Sequence, residues 1–168
     1  MHEEARNYCS TYSDLVSGHA LDLGGRYVNG SVHEYWPNMQ WTCVDKLPLG
    51  DVFESGYYFQ FNAATWVPDR EYDLVICTEV FEHTPEWRDI CKTAFKALKS
   101  DHNFLVTCAG PERPRHSAID GAEIRKGEYY WNIQPHLLGM HLKSIGFQHV
   151  LIAYDPHAGD VYASAYKP

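Results

Sequence analysis

The sequence lacks the features that mark several whole classes of protein. Its 168 residues hold no apolar run near the roughly 18 residues that a membrane-spanning helix needs. The first four residues, Met1 to Glu4, are acidic instead of apolar, so we expect no secretory leader. Internal repeats and low-complexity segments are also missing. We therefore predict one cytoplasmic domain over residues 1–168 and no association with a membrane.

Basic charge is scarce, and so are closely spaced cysteines. Fourteen basic side chains stand against 22 acidic ones, which gives a formal net charge of −8. A protein that binds the nucleic-acid backbone needs a basic surface, so this balance argues against a nucleic-acid partner. The five cysteines include no Cys-x-x-Cys pair. We expect buried, reduced thiols, and we predict no metal site.

Apolar patterning predicts strands that alternate with helices, which is typical of an α/β protein with a parallel sheet. The last two strands are joined by a loop too short to hold a crossover helix, so they must pair antiparallel. The segment 1–18 is predicted to be a helical cap, and residues 109–133 form the longest connection, of the kind that often carries function. Strands are predicted at 19–23, 41–45, 57–62, 72–78, 103–108, 148–154 and 160–166, and helices at 30–36, 86–99 and 134–145.

A glycine turn follows the first predicted strand, within residues 20–31. Paired glycines, Gly24 and Gly25, end an apolar run and allow a ligand to approach the backbone closely. The next apolar run ends in Asp45, where a carboxylate is placed to accept hydrogen bonds from a ribose. These two features together predict a nucleotide-type ligand.

Three parts of the sequence together resemble the class I S-adenosylmethionine-dependent methyltransferases. They are Leu21-Asp22-Leu23-Gly24-Gly25, Asp45 and the segment Glu79-Val80-Phe81-Glu82-His83. The last segment is similar to the "EVLEH" signature in the small-molecule and lipid branch of that family. The resemblance covers about residues 19 to 166. It implies a Rossmann-like seven-stranded mixed sheet of order 3-2-1-4-5-7-6, with strand 7 antiparallel and helices on both faces. It also implies S-adenosylmethionine as cofactor and a small or medium organic molecule as methyl acceptor.

One position departs from the family pattern. The glycine loop usually reads Gly-x-Gly-x-Gly, whereas Arg26 stands here in place of the second glycine and the next glycine is Gly30. A guanidinium at this position can pair with the carboxylate of the methionine portion. The alternative is that Arg26 points to solvent.

The resemblance also implies which residues hold the cofactor. Asp22 would hold the amino group of the methionine portion, and Asp45 the ribose. The alternatives are a loop-capping role for Asp22 and a solvated strand end for Asp45. The predicted cofactor-binding residues are Asp22, Gly24, Gly25, Arg26, Asp45, Lys46, Asn62, Ala63, Thr78 and Glu79.

The acceptor side is predicted from the polar and aromatic residues that follow the fourth and fifth strands. His83 and His116 are the candidate catalytic residues, as polar groups that face the substrate or as general bases. Their alternative roles are a helix cap for His83 and a solvated loop for His116. The candidate substrate-binding residues are Arg113, Arg115, Tyr130 and Trp131, with core packing as the alternative for the aromatic pair.

Three functions remain open from the sequence. The leading hypothesis is methyl transfer by in-line displacement. A second is a non-catalytic subunit that binds S-adenosylmethionine within a complex. The connection between the third and fourth strands is short, so the pocket would need a partner to close it. That partner would be either another subunit or a second copy of this chain. A third is a nucleotide- or NAD-binding oxidoreductase, which the closing hairpin and the segment 79–83 argue against.

Overall fold

A computed structural model describes residues 3–13, 17–26, 30–48 and 56–168. Seven strands form one sheet in the order β3-β2-β1-β4-β5-β7-β6. The first five strands pair parallel, and β7 pairs antiparallel with both β5 and β6. The predicted strand order and the antiparallel seventh strand are confirmed. The strands are β1 (Gly18–Leu23), β2 (Met39–Asp45), β3 (Tyr57–Gln60), β4 (Tyr72–Thr78), β5 (Leu98–Ala109), β6 (Gln148–Asp155) and β7 (Asp160–Lys167).

Hydrophobic cores lie on both faces of the sheet, because successive side chains of a central strand point to opposite sides. On β4, Val75 and Cys77 belong to one core cluster, and Leu74 and Ile76 belong to the other. Three helices cover these faces: α1 (Glu3–Ser10), α2 (Trp87–Ala97) and α3 (Pro135–Ile145).

The two faces are covered unequally. Helices α2 and α3 bury their apolar stripes in the larger cluster. In the described part of the chain, the other face has only α1 and an aromatic group that includes Trp36 and Trp41. Parts of the predicted 1–18 cap, residues 1–2 and 14–16, lie outside the described residues.

The predicted helix over 30–36 is wrong. The segment forms only a single 3-10 turn, at His33–Tyr35. Pro37 ends the turn, because the residue before a proline is disfavoured in the α conformation, and Trp36 has φ −128° and ψ 65°. At the start of the segment, Gly30 has φ +115°, which is outside the helical range. Val32 and Trp36 are nonetheless buried and anchor the segment to the core.

The predicted helix over 86–99 is right in place but too long at its end. Leu98 has the extended backbone of a strand and pairs with Tyr72, so it begins β5 instead of closing the helix. Helix α3 ends as predicted at Gly146, whose φ of +123° suits a glycine. None of the described helices has the length and apolar character that crossing a bilayer requires.

All five cysteines are buried and none forms a disulfide, as the sequence predicts. Burial raises the pKa of the Cys43 and Cys77 thiols above the ordinary value. These thiols therefore stay protonated and act as small apolar side chains.

Candidate active site

A cavity of about 1110 Å³ opens at the carboxyl ends of β1, β2 and β4. This is the edge of an open parallel sheet where ligands ordinarily bind. Strand ends line one side of the cavity, and the connection after β5 lines the other. The predicted site residues that line it are Asp22, Gly24, Gly25, Arg26, Asp45, Lys46, Asn62, Ala63, Thr78, Glu79, His83, Arg113, Arg115 and His116.

The glycine turn brings the backbone against its neighbours more closely than any other residue type would allow. Gly24 has φ +92°, and a Cβ there would overlap the Cγ2 atom of Val80. A Cβ on Gly25 would lie 2.8 Å from Cγ of Asp22. The pair of glycines therefore sets the floor of the cavity directly beside the Asp22 carboxylate.

Asp22 lies at the end of β1 and uses only one of its two oxygens. Its Oδ2 lies 2.8 Å from Nε2 of His33, which stacks on Trp41 with ring centroids 3.8 Å apart. Its Oδ1 is buried and has no hydrogen-bond partner among the described residues. A carboxylate oxygen of this kind is available to accept a hydrogen bond from a cationic ligand group in the cavity.

Arg26 is half-buried at the cavity wall. Its backbone N–H donates to the carbonyl of Gly24 at 2.8 Å, and the N–H of Gly24 donates to Val44 at 2.7 Å. The Gly24 amide is therefore engaged with β2, and the Arg26 amide is engaged within the turn. Nε and Nη1 of the Arg26 guanidinium are buried and without a partner in the described ranges. The side chain, instead of these amides, can meet an anionic ligand group.

Asp45 ends β2 on the same wall. Its Oδ1 accepts the N–H of Leu47 at 2.8 Å. Burial raises the pKa of Asp45, and the charge of Asp22 adds to this effect, while the Leu47 N–H and Arg26 oppose it. Lys46, the next residue, is exposed at the cavity rim.

Asn62 lies beside the cavity, but both ends of its amide are already engaged. Its Oδ1 accepts the N–H of Ala64 at 3.0 Å, and its Nδ2 donates to Oε2 of Glu86 at 3.0 Å. Asn62 therefore shapes the turn after β3 and holds Ala63 at the cavity wall.

Glu79 follows β4 in an unusual conformation. Its φ is +57°, a left-handed value that is uncommon for a residue other than glycine. Two contacts with Thr107 hold it there: its N–H donates to the Thr107 carbonyl, and the Thr107 hydroxyl donates to its Oε1, each at 2.8 Å. Strained backbone held in this way is common at functional sites.

Glu82 is fully buried directly behind the cavity, and the sequence reasoning did not select it. Neither of its carboxylate oxygens makes a hydrogen bond of normal geometry with the described residues. Burial raises the pKa of Glu82 well above its ordinary value, and the charge of Glu79 adds to this.

His83 lines the cavity in front of Glu82, with Nε2 3.9 Å from Glu82 Oε1. Its Nδ1 is buried and has no partner within the described part of the chain. Burial lowers the pKa of His83 to about 4, and the neighbouring His116 contributes to this. His83 is therefore neutral near pH 7 and offers a lone pair, but it is a weak proton acceptor.

His116 and Tyr130 pack against His83. The ring centroids of His83 and His116 lie 4.9 Å apart, and those of His116 and Tyr130 lie 5.1 Å apart. Tyr130 donates to the carbonyl of Pro114 at 3.1 Å and does not line the cavity. Trp131 also lies outside the lining, and 64% of its surface is exposed. Of the predicted aromatic pair, Tyr130 thus supports the two histidines and Trp131 faces solvent.

The two predicted arginines differ. Arg113 donates to the Ala158 carbonyl at 2.8 Å and forms an ion pair with the fully buried Asp160 at 2.9 Å. This pairing ties the start of the 109–133 connection to the β6–β7 hairpin. Arg115 is exposed and lines the cavity.

Three residues at or behind the cavity are absent from the predicted site: His33, Trp41 and Glu82. His33 and Trp41 fall in a predicted helix and a predicted strand, and no sequence signal shows that His33 contacts Asp22 or that Trp41 stacks on His33. Glu82 carries a usable signal, since an acidic residue in an otherwise apolar stretch next to His83 must either be paired or bind something.

The chain belongs to a methyltransferase family, since the family described as "Methyltransferase domain" matches residues 37–150. The protein is therefore a methyltransferase, as the sequence predicts, and this assignment argues against the oxidoreductase alternative. None of the curated proteins matches the chain.

Solved structures share the fold at low sequence identity. The Burkholderia thailandensis 1,6-didemethyltoxoflavin-N1-methyltransferase, bound to 1,6-didemethyltoxoflavin and S-adenosylhomocysteine, has 16% identity and a TM-score of 0.71, covering 98% of this chain and 79% of its own. The Bradyrhizobium japonicum WM9 N-methyltransferase NodS, bound to S-adenosylhomocysteine, has 12% identity and a TM-score of 0.69, with coverage of 98% and 86%. Human N-acetylserotonin methyltransferase, bound to S-adenosylmethionine, has 18% identity and a TM-score of 0.66. That match covers 96% of this chain but only about half, 51%, of the human protein.

Proposed function

We propose that this protein transfers a methyl group from S-adenosylmethionine to a small organic acceptor. The observation that carries the proposal is a pair of unpartnered groups of opposite charge in one cavity. Asp22 Oδ1 and the Nε and Nη1 atoms of Arg26 are buried at the cavity wall without partners among the described residues. The methionine portion of the cofactor carries an ammonium and a carboxylate, which complement these two groups.

The rest of the cofactor fits the strand ends. Asp45 would accept hydrogen bonds from the ribose hydroxyls, and Lys46 lies beside it. Asn62 is engaged in its own turn, so it would orient Ala63 toward the adenine without reading the base through its own amide. Fold neighbours that are complexes with S-adenosylhomocysteine or S-adenosylmethionine support this assignment.

When bound, the cofactor supplies a methyl group already activated by its sulfonium. The chain's task is then to hold an acceptor atom in line with that methyl group and to exclude water. Alignment of two reactants alone contributes roughly 7–11 kcal/mol to lowering a barrier. His83 and His116 line the cavity and would contact the acceptor. Because His83 is neutral and weakly basic, it suits orientation of the acceptor better than removal of a proton.

The size and charge of the cavity favour a small acceptor. A volume of about 1110 Å³ exceeds the usual space for one drug-sized ligand, roughly 300–1,000 Å³. A cofactor and a second small molecule can therefore occupy the cavity together. Arg115 at the rim places a guanidinium beside the acceptor end, although the net charge of the chain is −8.

Calorimetry tests the proposal directly. S-adenosylhomocysteine should bind the full chain with micromolar affinity, and NAD should not bind measurably. Incubation with radiolabelled S-adenosylmethionine and a panel of small hydroxylated and amino compounds would then identify the acceptor. If S-adenosylhomocysteine binds no better than NAD, the proposed function is wrong.

A further inference from the structure

We infer that Glu82, His83 and His116 form a binding site for a divalent first-row transition-metal ion at the acceptor end of the cavity. The ion would lie between the buried carboxylate and the two histidines that line the cavity. Its remaining coordination positions would face the acceptor. The contact between the ion and the acceptor rests on the proposed methyl transfer, whereas the metal site itself does not.

The geometry of the three side chains suits one ion. Each offers one ligand atom, and the three atoms lie within 4.8 Å of one another. Ligand atoms that share an ion sit about 2.0–2.2 Å from it, so two of them lie at most about 4.4 Å apart. His83 Nε2 and Glu82 Oε1, at 3.9 Å, already meet this limit. Only small side-chain shifts are needed to bring in the third ligand.

The buried carboxylate supplies an independent reason for a cation. Glu82 is 0% exposed, and neither oxygen makes a hydrogen bond of normal geometry with the described residues, although the backbone N–H groups of Glu82 and Ala109 are close enough to lower its pKa somewhat. A buried polar group without a partner is costly, and a buried carboxylate is ordinarily paired or bound to a metal.

His116 is oriented as a metal-binding histidine usually is. Its Nδ1 lies 3.1 Å from the carbonyl of Pro114 and 3.3 Å from the hydroxyl of Tyr130. In the tautomer whose Nδ1–H donates to that carbonyl, the lone pair is on Nε2. A hydrogen bond from the other ring nitrogen to a backbone carbonyl is the common way to fix the ring of a ligating histidine. Tyr130, packed at 5.1 Å, supports the same ring.

A second group of possible ligands, Asp22, His33 and Cys43, is less suitable. Asp22 Oδ2 and His33 Nε2 already bond to each other at 2.8 Å, so a metal would have to break that contact. Cys43 is a buried thiol, whereas a thiol must lose its proton to bind a metal. Two imidazoles and a carboxylate, in contrast, are a familiar ligand set for iron, manganese, cobalt or zinc.

The site would also define a class of acceptor. Three protein ligands leave coordination positions open, and His83 and His116 direct these into the cavity. A hydroxyl or carboxylate oxygen of the acceptor can occupy such a position, which would hold that oxygen at the acceptor end. We therefore infer an oxygen-bearing acceptor.

Titration of the metal-free full chain with Co²⁺, followed by visible absorption and calorimetry, tests the site without any substrate. We expect one ion per chain and a spectrum typical of histidine coordination. Glu82→Gln and His116→Ala should each weaken Co²⁺ binding at least about tenfold. Two controls, His136→Ala at an exposed position on α3 and His33→Ala, should leave the affinity for Co²⁺ unchanged.

Two results would overturn the inference: no Co²⁺ binding at millimolar concentration, or binding that is lost in His33→Ala and kept in His116→Ala. Because Glu82 is buried, the melting temperature of each variant is compared with that of the wild type. His116 is only half-buried, so His116→Ala is less prone to misfold than Glu82→Gln. S-adenosylhomocysteine binding is measured on the same samples. Co²⁺ binding without S-adenosylhomocysteine binding would support the metal site and overturn the proposed function.

Discussion

The two ends of the cavity are built in different ways. The end proposed to bind the cofactor consists of strand tips, where Asp22 and Asp45 are fixed by paired neighbours in a parallel sheet. The end proposed to bind the acceptor consists of a 3-10 turn at Phe81–His83 and a long connection without helix or strand before α3. The sheet thus determines the first end, and side-chain contacts determine the second. Substitutions at the two ends should therefore have different effects.

Gly24→Ala should damage the cofactor end most. The new Cβ would need φ +92° and would overlap Val80, so we expect a loss of roughly 2–4 kcal/mol in the free energy of unfolding. Urea denaturation measures this loss. Gly127→Ala is the matched control, because Gly127 has the same φ of +92° but nothing within 4 Å of the added Cβ. Equal losses in both variants would mean that contact with Val80 is unimportant.

Asp45→Ala should weaken S-adenosylhomocysteine binding by roughly 10–100-fold, since hydrogen bonds to a charged group contribute about 1.5–3 kcal/mol. Calorimetry measures the change. Asp89→Ala, which removes an exposed carboxylate paired with Lys92 on α2, is the control. Wild-type affinity in Asp45→Ala would show that the ribose site is assigned wrongly.

Arg26→Ala should lower the same affinity by about tenfold through loss of the carboxylate contact, and Arg26→Lys should recover part of it. The lysine keeps the charge but not the planar fork of donors. Adenosine, which lacks the methionine portion, is titrated in parallel and should bind both variants with the affinity that it has for the wild type. A uniform loss for both ligands would assign Arg26 a structural role instead.

His83→Ala tests the acceptor end. We expect turnover to fall at least about tenfold with S-adenosylhomocysteine affinity unchanged, because His83 belongs to the 3-10 turn after β4 and not to the proposed cofactor-binding residues. Turnover is measured with the acceptor identified by screening. Unchanged turnover would leave His83 with a purely structural role.

Asp73→Asn tests the opposite end of the strands, where neither ligand binds. Burial raises the pKa of Asp73, but the Lys99 ammonium at 2.6 Å and the His19 N–H at 2.9 Å outweigh it and hold the pKa below its ordinary value. A depressed pKa stabilises the fold above the unfolded pKa and loses that contribution as the pH falls. The variant should therefore be about 1 kcal/mol less stable at pH 7, and the difference should shrink as the pH falls below about 3.9, the ordinary pKa of an aspartate.

For that variant, urea unfolding across the pH range is the measurement, and S-adenosylhomocysteine affinity is the control. The affinity should not change. A stability difference that stays constant down to the lowest pH would exclude the ion pair as its cause.

Much of the cofactor end was predictable because strand periodicity and glycine turns are local signals. Asp22 and Asp45 end apolar runs, and parallel strands bring such ends to one edge. The acceptor end was less predictable because its contacts join distant parts of the chain. Arg113 is paired with Asp160, 47 positions later, and no local pattern reveals that pairing.

The segment after the glycine loop shows a further limit. Its apolar spacing suggests a helix, yet Pro37 and the burial of Trp36 permit only a single turn. Tertiary packing of large aromatic side chains thus overrode the local pattern.

The burial of every cysteine has a practical consequence for labelling. Thiol reagents attack exposed thiolates, and all five cysteines of this chain lie in described, buried positions. A single cysteine placed at the exposed rim residue Glu123 would therefore react in preference to the native ones. A fluorophore attached there would report the filling of the cavity in real time, without removal of any native residue beyond Glu123.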